Sequence, residues 1–350
     1  MGMSSDILLL SSFHSPLPLS GVDLIVHTLR ERTLPYRSIL IAAVQAAGLT
    51  VAGFLVPVLG QIVVLFAPVP LITIAMREGR KTGIIAMGAA AALVAVIVSG
   101  QAVFVLFFLS FGLMALGISE GMMRRLRPEQ AILAGGLLPL AALIVVLTPL
   151  LLKAGKNPVT LTEDYVRTSI TQAQQLYAQL GLAEVAQMLA SISDKMIYYL
   201  VRLSPGIILT TTLFQSICCY SMARTILRRK DPDLLVLDKP SFAEWHAPDL
   251  WVWGLIATLV LVASGLIAKV DSIAFIVGLN LALLYLLVYT AQGAALVEFW
   301  LRKVKLGVVW RSFAHTIILT LPPLIAVVVA LGVVDIWADF RKVRRMPPTT

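Results

Sequence analysis

The sequence predicts an all-α protein, a polytopic transmembrane helical bundle with an extracytoplasmic amphipathic helical segment. Two observations lead to this fold class. The 350 residues are 59% hydrophobic and 13% charged, whereas a soluble domain is about 25% charged. Lys and Arg also cluster in every second gap between long apolar runs, as they do in the cytoplasmic loops of membrane proteins. At about 20 residues per span, the apolar runs predict roughly eight or nine membrane segments.

The basic clusters also predict how the chain is oriented. Cytoplasmic loops retain Lys and Arg, so we expect the N-terminus and the C-terminus to be cytoplasmic and the location to be the inner (plasma) membrane. The net charge of +9 comes from clusters at the ends of apolar runs, which favours anionic lipid and not nucleic acid as the partner. The clusters are Arg30/Arg32/Arg37, Arg77/Arg80/Lys81, Arg124/Arg125/Arg127, Arg224/Arg228/Arg229/Lys230, Arg302/Lys303/Lys305 and Arg341/Lys342/Arg344/Arg345.

A first membrane block is predicted at residues 38–223, after a polar N-terminal segment at 1–37. Its second span contains Pro68 and Pro70. Because each proline removes a backbone donor, we expect this span to be bent or partly unwound and to face the bundle interior. The first five spans are predicted at about 39–57, 60–76, 82–99, 101–122 and 131–152.

Residues 153–196 are predicted to be extracytoplasmic and to form amphipathic helices. Val166, Ile170 and Ala173 begin a series of apolar residues at spacings of three and four, which is typical of an amphipathic helix. Gly181 interrupts the series and divides it into two helices. We expect these helices to lie on the outer face of the bundle or to cap it, and a sixth span to follow at about 197–222.

A cytoplasmic loop at 224–249 precedes a second membrane block at 250–340, which ends in a basic tail at 341–350. Two spans of this block are predicted at about 250–268 and 272–300.

The last apolar stretch, Gly307 to Trp337, could reach about 46 Å as a helix. That length is too long for one upright span and too short for two across a core of about 30 Å. Pro322 and Pro323 divide the stretch. A single kinked span would place the C-terminal basic cluster outside, against the charge rule, whereas a re-entrant pair of short helices would keep it cytoplasmic. The re-entrant pair is the favoured interpretation.

The sequence offers little catalytic chemistry. It contains no HExxH, CxxC, G-x-S-x-G or Walker A motif, and its four histidines are scattered. The adjacent Cys218 and Cys219 lie in an apolar run, and neighbouring cysteines rarely meet disulfide geometry, so we interpret them as buried packing residues. The chain is therefore predicted not to be an enzyme and to hold no metal or cofactor.

Polar residues at membrane depth are costly and are candidates for a binding site. The candidate substrate-binding residues are Gln61, Gln101, Asn280, Tyr289 and Gln292. Asn280 and Gln292 lie about 18 Å apart along a helix, so they cannot share a ligand by themselves. The alternative is that such residues form hydrogen bonds between helices. Convergence of the side chains on one cavity would distinguish the two interpretations.

The chain ends its last apolar stretch with Asp335, Trp337, Asp339 and Arg341, a candidate interface for a partner. One interpretation is a docking element for a cytoplasmic partner or coupling subunit. The other, which we favour, is an anchor that pins the helix end through basic residues and anionic lipid. The two carboxylates are one helical turn apart and are expected to share a face.

Two stretches of the chain resemble the YybS-type bacterial membrane proteins, a family of unknown function. They run from Phe66 to Gly83 and from Leu331 to Lys342. Asn280, the segment from Tyr289 to Gly293, and the order of five spans, an outer amphipathic segment and a second membrane block are similar to that family too. The resemblance covers about residues 39–342, and the longer polar N-terminus departs from it.

That family is distantly similar to the substrate-binding subunits of energy-coupling-factor transporters. The resemblance implies a multi-pass protein that binds or moves a small solute, with separate coupling or ATPase subunits as partners, because this chain carries no ATPase of its own. It is an analogy between folds and carries over no ligand-contacting residue. The alternative function is a structural or assembly protein that transports nothing.

Overall fold

The computed structural model describes residues 35–55, 59–153, 155, 157–235, 242–267 and 272–341. In these ranges the chain folds into α-helices, joined by one π-helical segment and two 3₁₀ turns, which confirms the all-α prediction. The predicted N-terminal segment at 1–37 and basic tail at 341–350 lie almost wholly outside the described residues.

The helices are numbered in chain order. They are α1 (Tyr36–Leu55), α2 (Leu59–Val64), α3 (Val69–Glu78), α4 (Arg80–Val98), α5 (Gln101–Phe107), α6 (Leu113–Met123), α7 (Pro128–Lys153), α8 (Pro158–Gln179), α9 (Ala183–Lys230), α10 (Trp251–Ile267), α11 (Ile273–Lys303), α12 (Val308–Thr320) and α13 (Pro322–Ala338). The π-helical segment Phe108–Gly112 joins α5 to α6.

Six helical segments of the described chain are long and apolar enough to cross a membrane, and the bent pair α12–α13 would make a seventh if it is one span. The predicted second span is divided into the short helices α2 and α3, and α10 has 17 residues. Each predicted span therefore corresponds to helix. Helices α2, α3 and α10, however, are each shorter than a regular upright crossing of about 20 residues.

The break in the second predicted span confirms that this segment is partly unwound. Helix α2 ends at Val64 and α3 begins at Val69, with Pro68 buried in the turn between them. The turn frees the carbonyl of Leu65, which accepts hydrogen bonds from Gln215 Nε2 at 3.3 Å and Cys219 Sγ at 3.0 Å. Helix α9 thus supplies the donors that the interrupted helix lacks, as membrane burial requires.

The amphipathic segment forms a helical hairpin, α8 against α9. Gly181 lies between them with a φ of 77°, a left-handed conformation that glycine adopts readily. Ile170 of α8 packs on Ile197 and Val201 of α9. The second predicted amphipathic helix and the predicted sixth span are one continuous helix of 48 residues, because no turn separates them.

Pro205 lies within this long helix without ending it. A proline removes the hydrogen bond to the carbonyl four residues earlier. That carbonyl, of Val201, instead accepts from the Ser204 hydroxyl at 2.7 Å.

Ion pairs bring basic clusters from distant parts of the first block to one end of the bundle. Arg77 binds Asp231, at the end of α9, with 2.5 Å between Nη2 and Oδ2. Arg80 lies 3.8 Å from the carboxylate of Glu120, near the end of α6. The clusters at 77–81, 124–127 and 224–230 are therefore on the same side, as the charge pattern predicts.

The second block adds its own clusters to that end. Arg311, near the start of α12, pairs with Glu298 of α11. Arg341, just after α13, donates to the carbonyl of Trp245, whose indole in turn donates to Glu129 at the start of α7. We call the end of the bundle that carries Arg77, Arg124, Arg228, Arg302 and Arg341 the basic end.

Both ends of the α12–α13 pair lie at the basic end. The two helices meet at a bend of 100° beside Leu321 and Pro322. His315 of α12 lies 3.3 Å from the carbonyl of Ala294, one turn deeper along α11 than Glu298. Because α12 runs inward and α13 returns to Arg341, these contacts favour the predicted re-entrant pair over a single kinked span.

Candidate functional site

A cavity of about 540 Å³ opens at the basic end between the two membrane blocks. Helices α7 and α9 form its wall on one side, and α11 and residues 242–251 form the other. Its volume lies in the range of sites for small molecules, about 300–1,000 Å³. We take it as the candidate functional site.

Helix α9 gives the cavity a gradient of polarity. Leu213 and Ile217 lie deepest, Tyr220 follows, and Arg224 and Arg228 lie at the basic end. These positions repeat at spacings of three and four, so they form one stripe of the helix. From Leu213 to Arg228 the stripe is about 22 Å long at about 1.5 Å per residue.

The facing helices extend the apolar part of the cavity. Ile132 and Leu133 of α7 line it on one side, and Leu287, Val288 and Ala291 of α11 line it on the other. Aliphatic side chains therefore surround the deep part of the site, a lining that favours an apolar group of a ligand.

The 242–250 loop closes part of the mouth of the cavity. Phe242, Glu244 and Trp245 of this loop face the cavity, next to Trp251 at the start of α10. Trp245 Nε1 donates to Glu129 Oε1 at 2.8 Å. Since Glu129 belongs to α7, this hydrogen bond joins the loop of the second block to the first block.

A buried guanidinium holds the loop from behind. Arg341 donates to the carbonyls of Ala243 at 2.9 Å and Trp245 at 2.7 Å. It also pairs with Asp335 at 2.6 Å, and the two side chains are 2% and 4% exposed. The other oxygen of Asp335 accepts from the backbone N–H of Phe340 at 3.1 Å. The pair is satisfied on both sides, as a buried pair must be.

Gln292 supports the same loop. Its Oε1 accepts from the backbone N–H of Ala247 at 3.1 Å, and the side chain is 1% exposed. Tyr289, one turn earlier on α11, is also buried and packs with Val252 and Ile336. Neither residue lines the cavity, so both contribute to the packing behind it. Their assignment to substrate binding stays a prediction.

Asn280 repairs an interrupted turn of α9. Its Oδ1 accepts from the N–H of Gly206 at 2.7 Å, and its Nδ2 donates to the carbonyl of Arg202 at 3.1 Å and to that of Ile276 at 2.8 Å. Arg202 and Gly206 would bond to each other in a regular helix. The amide is thus inserted into that bond, directly after Pro205, and all its hydrogen bonds lie away from the cavity.

We expect Asn280→Leu to lower the thermal stability of the protein, because it leaves the N–H of Gly206 and the carbonyl of Arg202 without this partner. An unsatisfied buried polar group costs about 1–3 kcal/mol. The measurement is the melting temperature in detergent. Thr290→Ala on the same helix is the matched control, since that hydroxyl bonds only the carbonyl of Leu286. Equal melting temperatures for both variants would contradict the role assigned to the amide.

The five predicted substrate-binding residues do not all converge. Asn280 bonds α9 far from the loop that Gln292 supports, consistent with their predicted separation of about 18 Å along α11. Gln61 lies in the short helix α2, and Gln101 is the first residue of the short helix α5. The side chains of both lie outside the described part of the structure. Their role in binding stays a prediction.

The C-terminal motif is divided between the interior and the surface. Asp335 and Arg341 are buried in the chain itself, whereas Trp337 is 67% exposed. Helix α13 ends at Ala338, and Asp339 follows with a φ of 42°. The carboxylate of Asp335 therefore holds Arg341, while Trp337 remains available to lipid or to a partner.

Sequence reasoning missed the cavity because it interpreted Arg224 and Arg228 only as determinants of topology. The stripe that contains them was visible as a change from aliphatic through hydroxyl to basic side chains along one face of α9. Nothing in the spacing indicated the part played by Glu129 or Trp245, which depends on how the two blocks pack.

Among the residues that the structure describes, no group of three His, Cys, Asp or Glu side chains could hold a metal ion.

Comparison with known proteins gives two matches. The profile of a family described as a predicted membrane protein (DUF2232) matches residues 44–336. A Bacillus subtilis (strain 168) protein described as uncharacterized protein YybS is 25% identical over 287 residues, which cover 82% of this chain and 90% of that protein. No solved structure matches the chain, and the predicted distant similarity to energy-coupling-factor subunits stays a prediction.

Proposed function

The chain belongs to the DUF2232 family of predicted membrane proteins, and from that premise we propose that it binds a small amphipathic molecule in the cavity at its basic end. The family match confirms the predicted resemblance to YybS-type proteins and the multi-pass membrane class. The proposal of ligand binding goes beyond this resemblance and this class, because the descriptions of the family and of the Bacillus subtilis protein name no activity.

The observation that carries the proposal is the cavity itself. It lies between two membrane blocks, has the volume of a small-molecule site, and changes from aliphatic to basic lining along one stripe of α9. A cavity of this kind favours a ligand with an apolar part and a polar part. Trp245 and Trp251 line the cavity as well, and tryptophan is enriched at the membrane interface.

We assign the basic end to the cytoplasmic side of the plasma membrane. The support is the enrichment of cytoplasmic loops in Lys and Arg, together with the ion pairs that bring these clusters to one end of the bundle. On this assignment, the ligand enters from the cytoplasmic leaflet or from the cytoplasm. The α8–α9 hairpin then lies on the extracytoplasmic side.

The proposal is one of binding, and the sequence contains no HExxH, CxxC, G-x-S-x-G or Walker A motif. An ATP-driven version of the protein that moves the bound molecule across the membrane would need separate coupling or ATPase subunits, because the sequence contains no Walker A motif. Binding is the part that the cavity supports directly.

A second candidate function, a structural or assembly role without a ligand, is favoured by Asn280. Its amide bonds three backbone groups of α9 and α11. Polar residues of this kind hold helices together in membranes. The two functions differ in one measurable respect, which is whether a molecule occupies the cavity.

Filling the cavity tests the proposal. We expect native mass spectrometry of the purified protein to find a retained small molecule, and we expect Ile217→Trp to lose it, because the indole would occupy the space between α9 and α11. Ile144→Trp is the matched control, since Ile144 of α7 is 65% exposed and lies away from the cavity. Retention of the molecule by all three proteins, or its absence from the wild type, would favour the structural role instead.

A further inference from the structure

We propose that the occupant of the cavity is a membrane amphiphile with a phosphate-bearing head group. Its head would bind Arg224 and Arg228, and its acyl tail would lie along Leu213 and Ile217. This inference rests on the proposed function and specifies the chemical class of the ligand. The cavity residues carry it in three steps, which concern length, charge and position relative to the membrane interface.

The length of the site fits a molecule with a tail. The apolar and basic ends of the α9 stripe are about 22 Å apart along the helix axis. A free inorganic anion would use only the basic end and would leave the aliphatic part, which includes Leu133 and Val288, without an occupant. An amphiphile fills both parts and buries its apolar surface, at roughly 25 cal/mol per Å².

The charges at the mouth favour an anionic head. Arg224 and Arg228 are one turn apart on one face of α9, and Arg302 of α11 lines the cavity with them. The described lining contains these three arginines and two glutamates, Glu129 and Glu244.

Two of the charged groups of the mouth are bound within the protein. Glu129 accepts from the Trp245 indole, and Arg302 is paired with Glu298 outside the lining at 2.7 Å. Arg224 and Arg228 both line the cavity. Guanidinium groups bind phosphate through two parallel N–H donors, which gives both strength and geometry.

The position of the mouth relative to the membrane supports a lipid source. Trp245 and Trp251 line the mouth, and tryptophan is enriched at the level of lipid head groups. Basic pockets between membrane helices on the cytoplasmic side bind lipid head groups by the same chemistry. With the basic end assigned to the cytoplasmic side as proposed above, the site lies at the level of the phosphates of the cytoplasmic leaflet.

A titration of the delipidated wild-type protein, in a neutral detergent and followed by native mass spectrometry, tests the class directly. The probes are dioleoylphosphatidylglycerol, dioleoylglycerol and inorganic phosphate. We expect the phosphatidylglycerol to bind as a single adduct, the uncharged dioleoylglycerol to bind at least about tenfold more weakly because it lacks charge-assisted hydrogen bonds, and inorganic phosphate to compete only at far higher concentration.

Substitutions locate the head group. Arg224→Gln with Arg228→Gln should weaken phosphatidylglycerol binding by about tenfold or more. Arg229→Gln with Lys230→Gln removes the same net charge from the same end of α9 but from side chains that do not line the cavity, so this control should bind as the wild type does. Melting temperatures identify any variant that is misfolded, and the comparison of the three probes on the wild type does not depend on them.

Three outcomes would overturn the inference. One is that dioleoylglycerol binds as tightly as phosphatidylglycerol, and another is that the two double substitutions weaken phosphatidylglycerol binding equally. Either result would show that Arg224 and Arg228 do not bind a phosphate. Equally tight binding of inorganic phosphate would show that the tail contributes nothing. Each of these results leaves the proposed function in place if Ile217→Trp still removes a retained molecule, whereas loss of that effect would refute the proposed function itself.

Discussion

Replacing Arg341 with methionine is expected to destabilise the protein by about 3–5 kcal/mol, the cost of leaving one charge of a buried ion pair alone. The partner left behind is Asp335, whose side chain is 4% exposed. The substitution also removes the donors to the carbonyls of Ala243 and Trp245. The loop that borders the cavity therefore loses its support at the same time.

Thermal melting of the purified variant in detergent measures this effect. Arg229→Met provides the control, because Arg229 is exposed near the end of α9 and does not line the cavity. A second variant, Arg341→Met with Asp335→Asn, removes the buried negative charge as well. We expect it to recover part of the lost stability, since the charge left alone is the main penalty.

A melting temperature for Arg341→Met equal to that of the control would contradict the assignment of a buried, structural ion pair. A double variant no more stable than the single variant would mean that the hydrogen bonds to the loop carbonyls, and not the charge of Asp335, account for the loss. Ligand retention by the double variant then reports whether the loop shapes the cavity.

Replacing Gly293 with leucine is the second change with a large expected effect. Helices α11 and α13 cross so closely that a Cβ at Gly293 would overlap the carbonyl oxygen of Val328, and a Cβ at Gly332 would overlap the carbonyl of Tyr289. Both obstacles are backbone atoms, so a side chain can be accommodated only if the helices separate. Overpacking of this kind costs about 1–3 kcal/mol and sometimes more.

We expect Gly293→Leu to abolish the monodisperse peak in size-exclusion chromatography, and Gly293→Ala to retain it with a lower melting temperature. Gly88→Leu is the control, because nothing lies within 4 Å of a Cβ at that position of α4. A well-folded Gly293→Leu protein would mean that α13 is not docked on α11 through these glycines. Small residues at helix crossings are the usual basis of such close packing in membranes.

Features that depend on neighbouring residues were predictable from the sequence. Apolar runs of membrane length predicted the helices, and Pro68 with Pro70 predicted that the second span would be interrupted, because proline acts on its own helix. Gly181 predicted the turn of the outer hairpin for the same local reason. The charge clusters predicted a common basic end because charge placement follows the membrane and not the fold.

Features that depend on contacts between distant segments were not predictable in this way. Nothing near Asn280 in the sequence indicates that its amide enters the backbone of α9, 74 residues away from Gly206. Arg341 and Arg229 both stand in basic clusters that follow an apolar run, yet one is buried against Asp335 and the other is exposed. The sequence contexts of the two arginines are alike, so only the packing of the helices decides which of them is buried.

The sequence by itself determined the class of protein, the breaks beside Pro68 and Gly181 and the gathering of its positive charges at one end. These properties follow from hydropathy, proline, glycine and charge, which act within one segment. The tertiary structure alone decided that Arg224 and Arg228 face a cavity, since that depends on α7, α9 and α11 packing around the same space. A cavity is the region that several helices leave unfilled, and its existence depends on the relative positions of all of them.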